Sequence, residues 1–444
     1  MEEKQYRKII NAWCMYDWAN SAFATTIMAT VLPTFYSSVA GTTLAPDPNQ
    51  AKVLASSYWG YTNTIAMLIM AFSAPVLGAI ADHSGAKKRF VGGFAMVGII
   101  FTALLILIST GDWLMASAFY ILGHLGFSGA NIFYDSLLPH VARPEDIDQV
   151  SARGYALGYL GGGLLLVINL AWIMFPQTFF LPNAEIASRV SFLSVAVWWA
   201  LFSIPFFRRV PEPPAMVIRG ESANPIRASF QRLGHTFHEV RRYKELLKFL
   251  IAFWLYNDAI GTIITMAAIF GAEINIPSEH LIGAILLVQF VGIPFSFAFG
   301  WLARRLGTKR SILLSLGIYT LIAISGYFLQ TALHFWILAF MVAMVQGGSQ
   351  ALSRSLYGVM TPKAKTAEFF GFYDVSSKFA GIIGPLVFGL VGQLTGSSRL
   401  GIVSLVVFFV VGGLLLAWVK EQEGIRVARA EDAALAEAAA VGQT

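Results

Sequence analysis

Long apolar stretches recur along the whole chain, separated by short polar segments. Twelve can be marked, at about residues 11–37, 53–81, 88–110, 113–140, 150–175, 187–208, 245–271, 278–303, 309–330, 334–360, 366–394 and 399–419. A helix of roughly 20 such residues crosses a hydrocarbon core of about 30 Å. Strand-like alternation with a period of two is missing, which removes an outer-membrane barrel. The pattern predicts an all-α polytopic membrane protein with twelve transmembrane helices. Composition fits this: 56% of the residues are hydrophobic and only 13% charged. A soluble domain carries roughly 25% charged residues.

The net charge of +6 would suit a nucleic-acid partner until the basic residues are placed. Of the 31 lysines and arginines, 26 fall at the N-terminus, in alternate loops, in the middle segment and in the tail. Only Lys52, Arg189 and Arg399 fall on the other side, and Arg354 and Lys378 lie inside apolar stretches. The positive-inside rule then puts both termini and the middle segment in the cytoplasm of a multi-pass cell-membrane protein. An odd number of spans would scramble this asymmetry. The basic start with its small residues at Ser38-Val39-Ala40 resembles a cleavable signal, but the run is too long for one and is broken by Asp17 and Asn20. The one cysteine, Cys14, forbids an internal disulfide. The Ala/Glu-rich end after residue 420 reads as a solvated or weakly helical tail.

Internal repeats are present. "GAIADHSGAKKR" (78–89) and "GWLARRLGTKR" (300–310) share Gly, Ala, Gly and Lys at an offset of 222, each after the second span of its half. "GFSGA" (126–130) matches "GGSQA" (347–351) at 221, and "YDWA" (16–19) recurs as "YNDA" (256–259). Three landmarks in the same order imply two parallel six-helix repeats. The expected division is 1–208 and 245–420 for the two bundles, 209–244 for a linker and 421–444 for a cytoplasmic tail.

The polar residues inside the spans follow the same plan. Spans 3, 6, 9 and 12 have no ionisable group away from their ends and read as lipid-facing walls. Asp17 lies in span 1, Asp135 in span 4, Asp258 in span 7 and Arg354 in span 10. In span 4 His124, Ser128, Asn131 and Asp135 share one helical face. Gln346, Gln350, Ser353 and Tyr357 repeat that face in span 10, each 222 residues later. Intramembrane polar groups are costly and face a bundle interior or a water-filled cavity, so spans 1, 4, 7 and 10 are expected to line one.

The repeat, the central segment and "GAIADHSGAKKR" resemble the major facilitator superfamily over about residues 8–420, with the loop pattern at Gly78, Asp82, Gly85 and Lys87 through Arg89. More narrowly, "YDWANSAF" (16–23) and "AEFFGFYDVSSK" (367–378) resemble the autophagy-related vacuolar amino-acid effluxer family and its bacterial relatives. The resemblance implies the major facilitator fold and a transporter of small solutes. Superfamily antiporters often carry a Gly-Pro pair in span 5; here Gly384-Pro385 stands in span 11, and symport or antiport stays open.

The loop motif suggests a latch. Asp82 can sit at the positive N-terminal end of span 11, and Lys87 to Arg89 can reach Asp135. In the second copy Arg304 replaces the aspartate, so its partner should be Glu145, Asp146 or Asp148. The plainer alternative is charge that only sets topology. Arg354 reads either as a snorkelling residue or as a gate, its position off the polar stripe favouring the gate. Lys378 either neutralises Asp374, four residues back, or meets a solute carboxylate. The glycines at 154, 158 and 162 in span 5 suggest close helix packing. His124 reads as a buried, hydrogen-bonded histidine or a proton carrier.

The candidate solute-binding residues are therefore Tyr16, Asp17, Asn20, Asn131, Asn257, Asp258, Gln346, Gln350 and Lys378. The gating set is Asp82, Lys87, Arg89, Asp135, Arg304 and Arg354. Asp17 is expected to bind the cationic end of a solute or a coupling proton, looking across to Arg354 or Lys378. No nucleotide loop, metal spacing or nucleophile–base set is visible, so neither ATP, a cofactor, a metal nor an enzymatic reaction is expected. The expected function is secondary active transport of a small polar solute, an amino acid foremost, with a proton or ion as partner, by a monomer in the bilayer. Sugars or drugs as cargo, or a lipid-handling or receptor protein on the same fold, are the alternatives.

Overall fold

The computed structural model describes residues 2–214, 242–274, 276–379 and 383–441. Most of the expected linker, 209–244, lies outside the described residues. A helix occupies each predicted stretch: span 1 at Glu3–Ala40, span 2 at Pro48–Ser84, span 3 at Lys87–Leu104 and span 4 at Trp113–Ser136. Spans 5 and 6 are Ile147–Met174 and Ala184–Arg209. Spans 7 to 10 are Lys244–Glu273, Ser278–Leu306, Thr308–Gly326 and Ala332–Met360. In span 11 the described helical residues are Thr366–Phe379 and Ile383–Thr395, and span 12 is Ser398–Trp418. Among the described residues nine helices are long and apolar enough to cross a membrane. Spans 4 and 9 are long enough but less apolar, span 4 through its polar stripe, and the described helical stretches of span 11 are shorter.

Local chemistry sets several boundaries. The Asn183 side chain accepts the Ile186 N–H at 2.9 Å to start span 6, and Thr331 does the same for His334 at 3.3 Å to start span 10. Spans 2 and 8 are each followed by a glycine with positive φ, Gly85 at 60° and Gly307 at 90°. These are the matched glycines of the two motif copies, and the left-handed backbone they adopt would strain any other residue. Span 1 departs from α geometry at Phe23–Thr30 and Tyr36–Ala40, which are π-helical. Such stretches recur at functional positions in other helices.

The chain divides by its contacts into two units. The first is Met1–Ser73, Lys88–Tyr134 and Leu157–Pro211; the second is Ala74–Lys87, Asp135–Ala156 and Glu212–Thr444. The second unit thus gathers the ends of spans 2, 4 and 5 that border the basic loops together with the second six-helix half. We call this the basic end. In the first unit spans 1 and 5 meet closely: a Cβ on Gly158 would lie 2.6 Å from Ser21 Oγ, and one on Gly162 2.9 Å from Thr25 Cγ2. Met96 and Ile100 of span 3, Val197 and Leu201 of span 6, Leu314 and Leu321 of span 9, and Val407 and Leu414 of span 12 are exposed. Surfaces of that kind suit hydrocarbon, not water.

The tail is not a solvated end. It forms the helix Glu421–Val441, and Ala428 and Glu431 are buried. Glu431 accepts from Lys365 at 3.0 Å and pairs with Arg242 at 2.7 Å, while Asp432 accepts the Lys363 and Ala364 N–H groups. Glu431 and Asp432 look solvated in sequence because their partners lie 66 or more positions away.

Candidate functional site

In the first unit, span 1 and span 4 place Asp17 beside Tyr134, whose hydroxyl donates to Asp17 Oδ2 at 2.9 Å. The Tyr134 ring stacks on Trp13 at 4.4 Å and lies 4.9 Å from Tyr16, and Trp13 Nε1 donates to the Tyr134 carbonyl. Tyr16 is fully buried between Tyr134 and Phe206 and forms part of this aromatic wall. The wall leaves the Tyr134 hydroxyl one direction, toward the half-buried carboxylate. One turn on, Asn20 Nδ2 donates to Asn131 Oδ1. Asp17, Asn20, Asn131 and Tyr134 form one polar cluster on an aromatic floor. Further along span 4, His124 is buried with Nδ1 at 3.2 Å from Tyr120, whose hydroxyl donates to Asn63.

In the second unit the basic end carries a different arrangement. Asp82 Oδ1 accepts the Ala367 N–H at 3.1 Å and Oδ2 the Glu368 N–H at 2.8 Å, at the first turn of span 11. A carboxylate there satisfies helix-terminal donors and the positive end of the helix dipole. Gly78 makes room for the approach, since a Cβ would lie 2.2 Å from the Ala367 oxygen. Lys87, only 4% exposed, spends its three N–H donors on Asp82 at 2.8 Å, Thr366 Oγ1 at 2.6 Å and His140 Nε2 at 3.0 Å. Lys87 therefore turns to its own motif and not to Asp135. The short helix Leu138–Val141 that holds His140 follows span 4, and there burial, with help from Lys87 and Lys363, holds the imidazole well below the usual histidine range. A neutral Nε2 is what the lysine needs as an acceptor. Arg89 belongs to the first unit and is exposed in the first turn of span 3.

Asp135 meets Arg354. The guanidinium donates from Nη1 to Asp135 Oδ1 at 2.8 Å, from Nε to Ser151 Oγ at 2.9 Å and from Nη2 to the Ser151 carbonyl at 3.0 Å. It also lies 4.5 Å over the Tyr155 ring. Arg354 is 2% exposed, so this is a desolvated pair that needs all of these partners. Arg304 pairs with Asp146 at 3.2 Å with half its side chain in solvent, a weaker contact. Asp148 accepts instead from Thr308 at 2.7 Å and from Ser355.

The remaining second-unit candidates are dispersed. Asn257, Gln346 and Gln350 are half-buried, and Ser353 further along the same face bonds Tyr256 at 2.6 Å. Tyr357 is fully buried and donates to the Phe369 carbonyl. Asp258 is buried and accepts the Gly384 N–H at 2.7 Å. The Lys378 side chain lies outside the described residues.

Sequence inspection passed over Tyr134, Ser151, His140 and Thr366, which orient or close off the residues it did select, and read Gly384 only as half of a Gly-Pro pair. One signal was available. Tyr-Asp occurs at 16–17, 134–135 and 373–374, and the second copy supplies both the Asp17 partner and the Arg354 partner. Ser151 and Thr366 gave no signal, because any serine or threonine at a helix start looks like a cap.

The chain matches the family described as vacuole effluxer Atg22 like over residues 5–429. It is 40% identical over 436 residues to an uncharacterized MFS-type transporter, YxiO, of Bacillus subtilis, covering 97% of this chain and 99% of that one. It is 23% identical over 429 residues to autophagy-related protein 22 of Pyricularia oryzae, covering 78% of this chain and 62% of the fungal protein. Among solved structures, the proton:xylose symporter XylE superposes with a TM-score of 0.71 at 14% identity, covering 96% of this chain and 98% of that one. The human organic anion transporter MFSD10 superposes with a TM-score of 0.70 at 12% identity, covering 94% and 100%. The fold is that of the major facilitator superfamily, and the chain belongs to the Atg22-like family of MFS-type transporters.

Proposed function

We propose that this transporter moves a small zwitterionic solute, an amino acid, across the cell membrane by alternating access, as a monomer coupled to a proton or ion. In this reading both termini and the basic end face the cytoplasm, in keeping with the positive-inside rule. The observation that carries the proposal is the lock at the basic end. Buried charges there, Arg354 with Asp135 and Lys87 with Asp82, hold spans 2, 4, 5, 10 and 11 through one another. Pairs of this kind hold one packing firmly, yet each charge can be rehydrated once the packing changes, the behaviour of a two-state element. Asp82, Lys87, Asp135, Arg304 and Arg354 are gate residues in this account, with Arg89 on the adjoining turn.

The solute class follows from the polar cluster of the first unit. Asp17, positioned by Tyr134, presents a carboxylate for an ammonium group, and Asn20 and Asn131 offer amide donors for a carboxylate. The family description as an effluxer supports a small-solute cargo. Thermal-shift screening of the purified protein against amino acids, peptides, sugars and cationic drugs tests the assignment. Amino acids should raise the melting temperature of the wild type and fail to do so for Asp17→Asn. Stabilisation by sugars or drugs alone would overturn it.

A further inference from the structure

We infer that Asp258 is the carboxyl that takes up the coupling proton, and that its charge controls the hold of span 7 on span 11 at Gly384. The inference rests on the transporter reading but assigns a site that reading leaves open. Asp258 stands in the middle of span 7 with 1% exposure. Its Oδ2 accepts the N–H of Gly384, the second residue of the helix Ile383–Thr395. Its Oδ1 is buried and has no hydrogen-bond partner among the described residues. The close fit is specific to glycine, because a Cβ at position 384 would lie 2.9 Å from Asp258 Oδ1 and 2.1 Å from Thr262 Oγ1. The Thr262 hydroxyl hydrogen is already given to the Asp258 carbonyl at 2.7 Å.

An ionised carboxylate offers about four acceptor positions, and among the described residues one donor meets it. Burial without compensating partners disfavours the charged form strongly. Two other acids of this unit differ. Asp82 takes three donors including a lysine, and Asp135 faces Arg354. The helices packed against span 7 carry ionisable groups that include Glu368, Tyr373 and Asp374 in span 11, Arg354 and Tyr357 in span 10 and Tyr319 in span 9. None of them bonds Asp258 among the described contacts, and the Lys378 side chain lies outside the described residues. A metal cation would ask for several converging oxygens, whereas a proton needs one. The step is a simple protonation: one proton from water adds to the carboxylate, and the charge is lost without any other bond being made or broken. The charge-assisted hydrogen bond to Gly384 N–H then becomes a neutral one of about half the strength. That weakens the hold of span 7 on Gly384 of span 11, and return of the proton to water on the other side resets it.

Infrared titration of the protein in lipid, without solute, tests this. As pH falls, the carbonyl band of a protonated carboxylic acid should grow in the wild type, and that component should be missing from Asp258→Asn. Asparagine keeps an acceptor for Gly384, so a purely capping aspartate would leave the titrating band intact in the variant; that result overturns the proposal. Suppression of the band by sodium at constant pH would also overturn it, in favour of a metal cation. Should Asp258→Asn fail to insert, Asp258→Glu must move the band or its midpoint, and an unmoved band would refute the assignment. Because no solute is used, failure here is distinct from failure of the transport reading, which the ligand screen addresses separately.

Discussion

The Arg354–Asp135 pair allows the lock to be tested quantitatively. Asp135→Ala removes the acceptor at 2.8 Å and leaves a guanidinium with 3% side-chain exposure against Ser151 and the Tyr155 ring. Breaking a buried ion pair from one side costs about 3–5 kcal/mol. The Asp135 side chain keeps 20% exposure and Ser151 still accepts two N–H groups, so the lower end, about 3 kcal/mol, is appropriate. At 1.36 kcal/mol per tenfold, the closed packing of the basic end should lose roughly 150-fold in population relative to open ones. The reporter is Ser355→Cys in a Cys14→Ser background, since Ser355 is fully buried in this packing. Alkylation of that cysteine should accelerate by about two orders of magnitude in Asp135→Ala, given that shift. The double replacement Asp135→Leu with Arg354→Met should restore slow labelling, because an apolar pair removes the stranded charge. An unchanged rate in Asp135→Ala would refute the reasoning, as would fast labelling in the double variant together with an unaltered melting temperature.

Other contacts at the same end give independent outcomes. Asp82→Ala removes two N–H acceptors at the first turn of span 11 and strands Lys87; it should lower the melting temperature and speed amide exchange over 366–369, whereas Asp82→Asn should do less. His140 gives a pH signature: its folded value lies well below the unfolded value of about 6.5, so the unfolded chain binds the proton first as pH falls. The contribution of His140 is therefore complete above about pH 6.5 and is lost on acidification toward the folded value, and His140→Gln should flatten that part of the stability profile measured by thermal melts. Glu431→Gln leaves Lys365 and Arg242 facing each other across a neutral amide, which should cost about 3 kcal/mol and release the tail helix to limited proteolysis.

Much of the fold was legible because bilayer crossing imposes long apolar runs, and the offset of 222 residues located matching turns at Gly85 and Gly307. The approach of Asp82 to span 11 was also legible, since a carboxylate at the end of span 2 can meet the positive N-terminal end of a helix. The partner of Asp17 was not. Sequence logic looked for a cation, whereas a hydroxyl fixed by stacked aromatics stands there, and a stack joining Trp13 and Tyr134 across 121 positions leaves no periodic trace. The lysines of the motif were expected at Asp135, yet Lys87 is taken by Asp82, His140 and Thr366. Its three donors converge only after span 11 has folded back 279 residues later. The docked tail was missed for the same reason: its acidic partners read as solubilising until Lys365 and Arg242 are placed beside them.

The central claim, exchange of an amino acid by alternating access, is tested most directly by counterflow in proteoliposomes. Vesicles carrying the wild type and loaded with unlabelled amino acids should transiently accumulate the labelled amino acid from outside. Those carrying Asp17→Asn should not. Failure of every amino acid to show that overshoot, with a sugar or a drug showing it instead, would contradict the account.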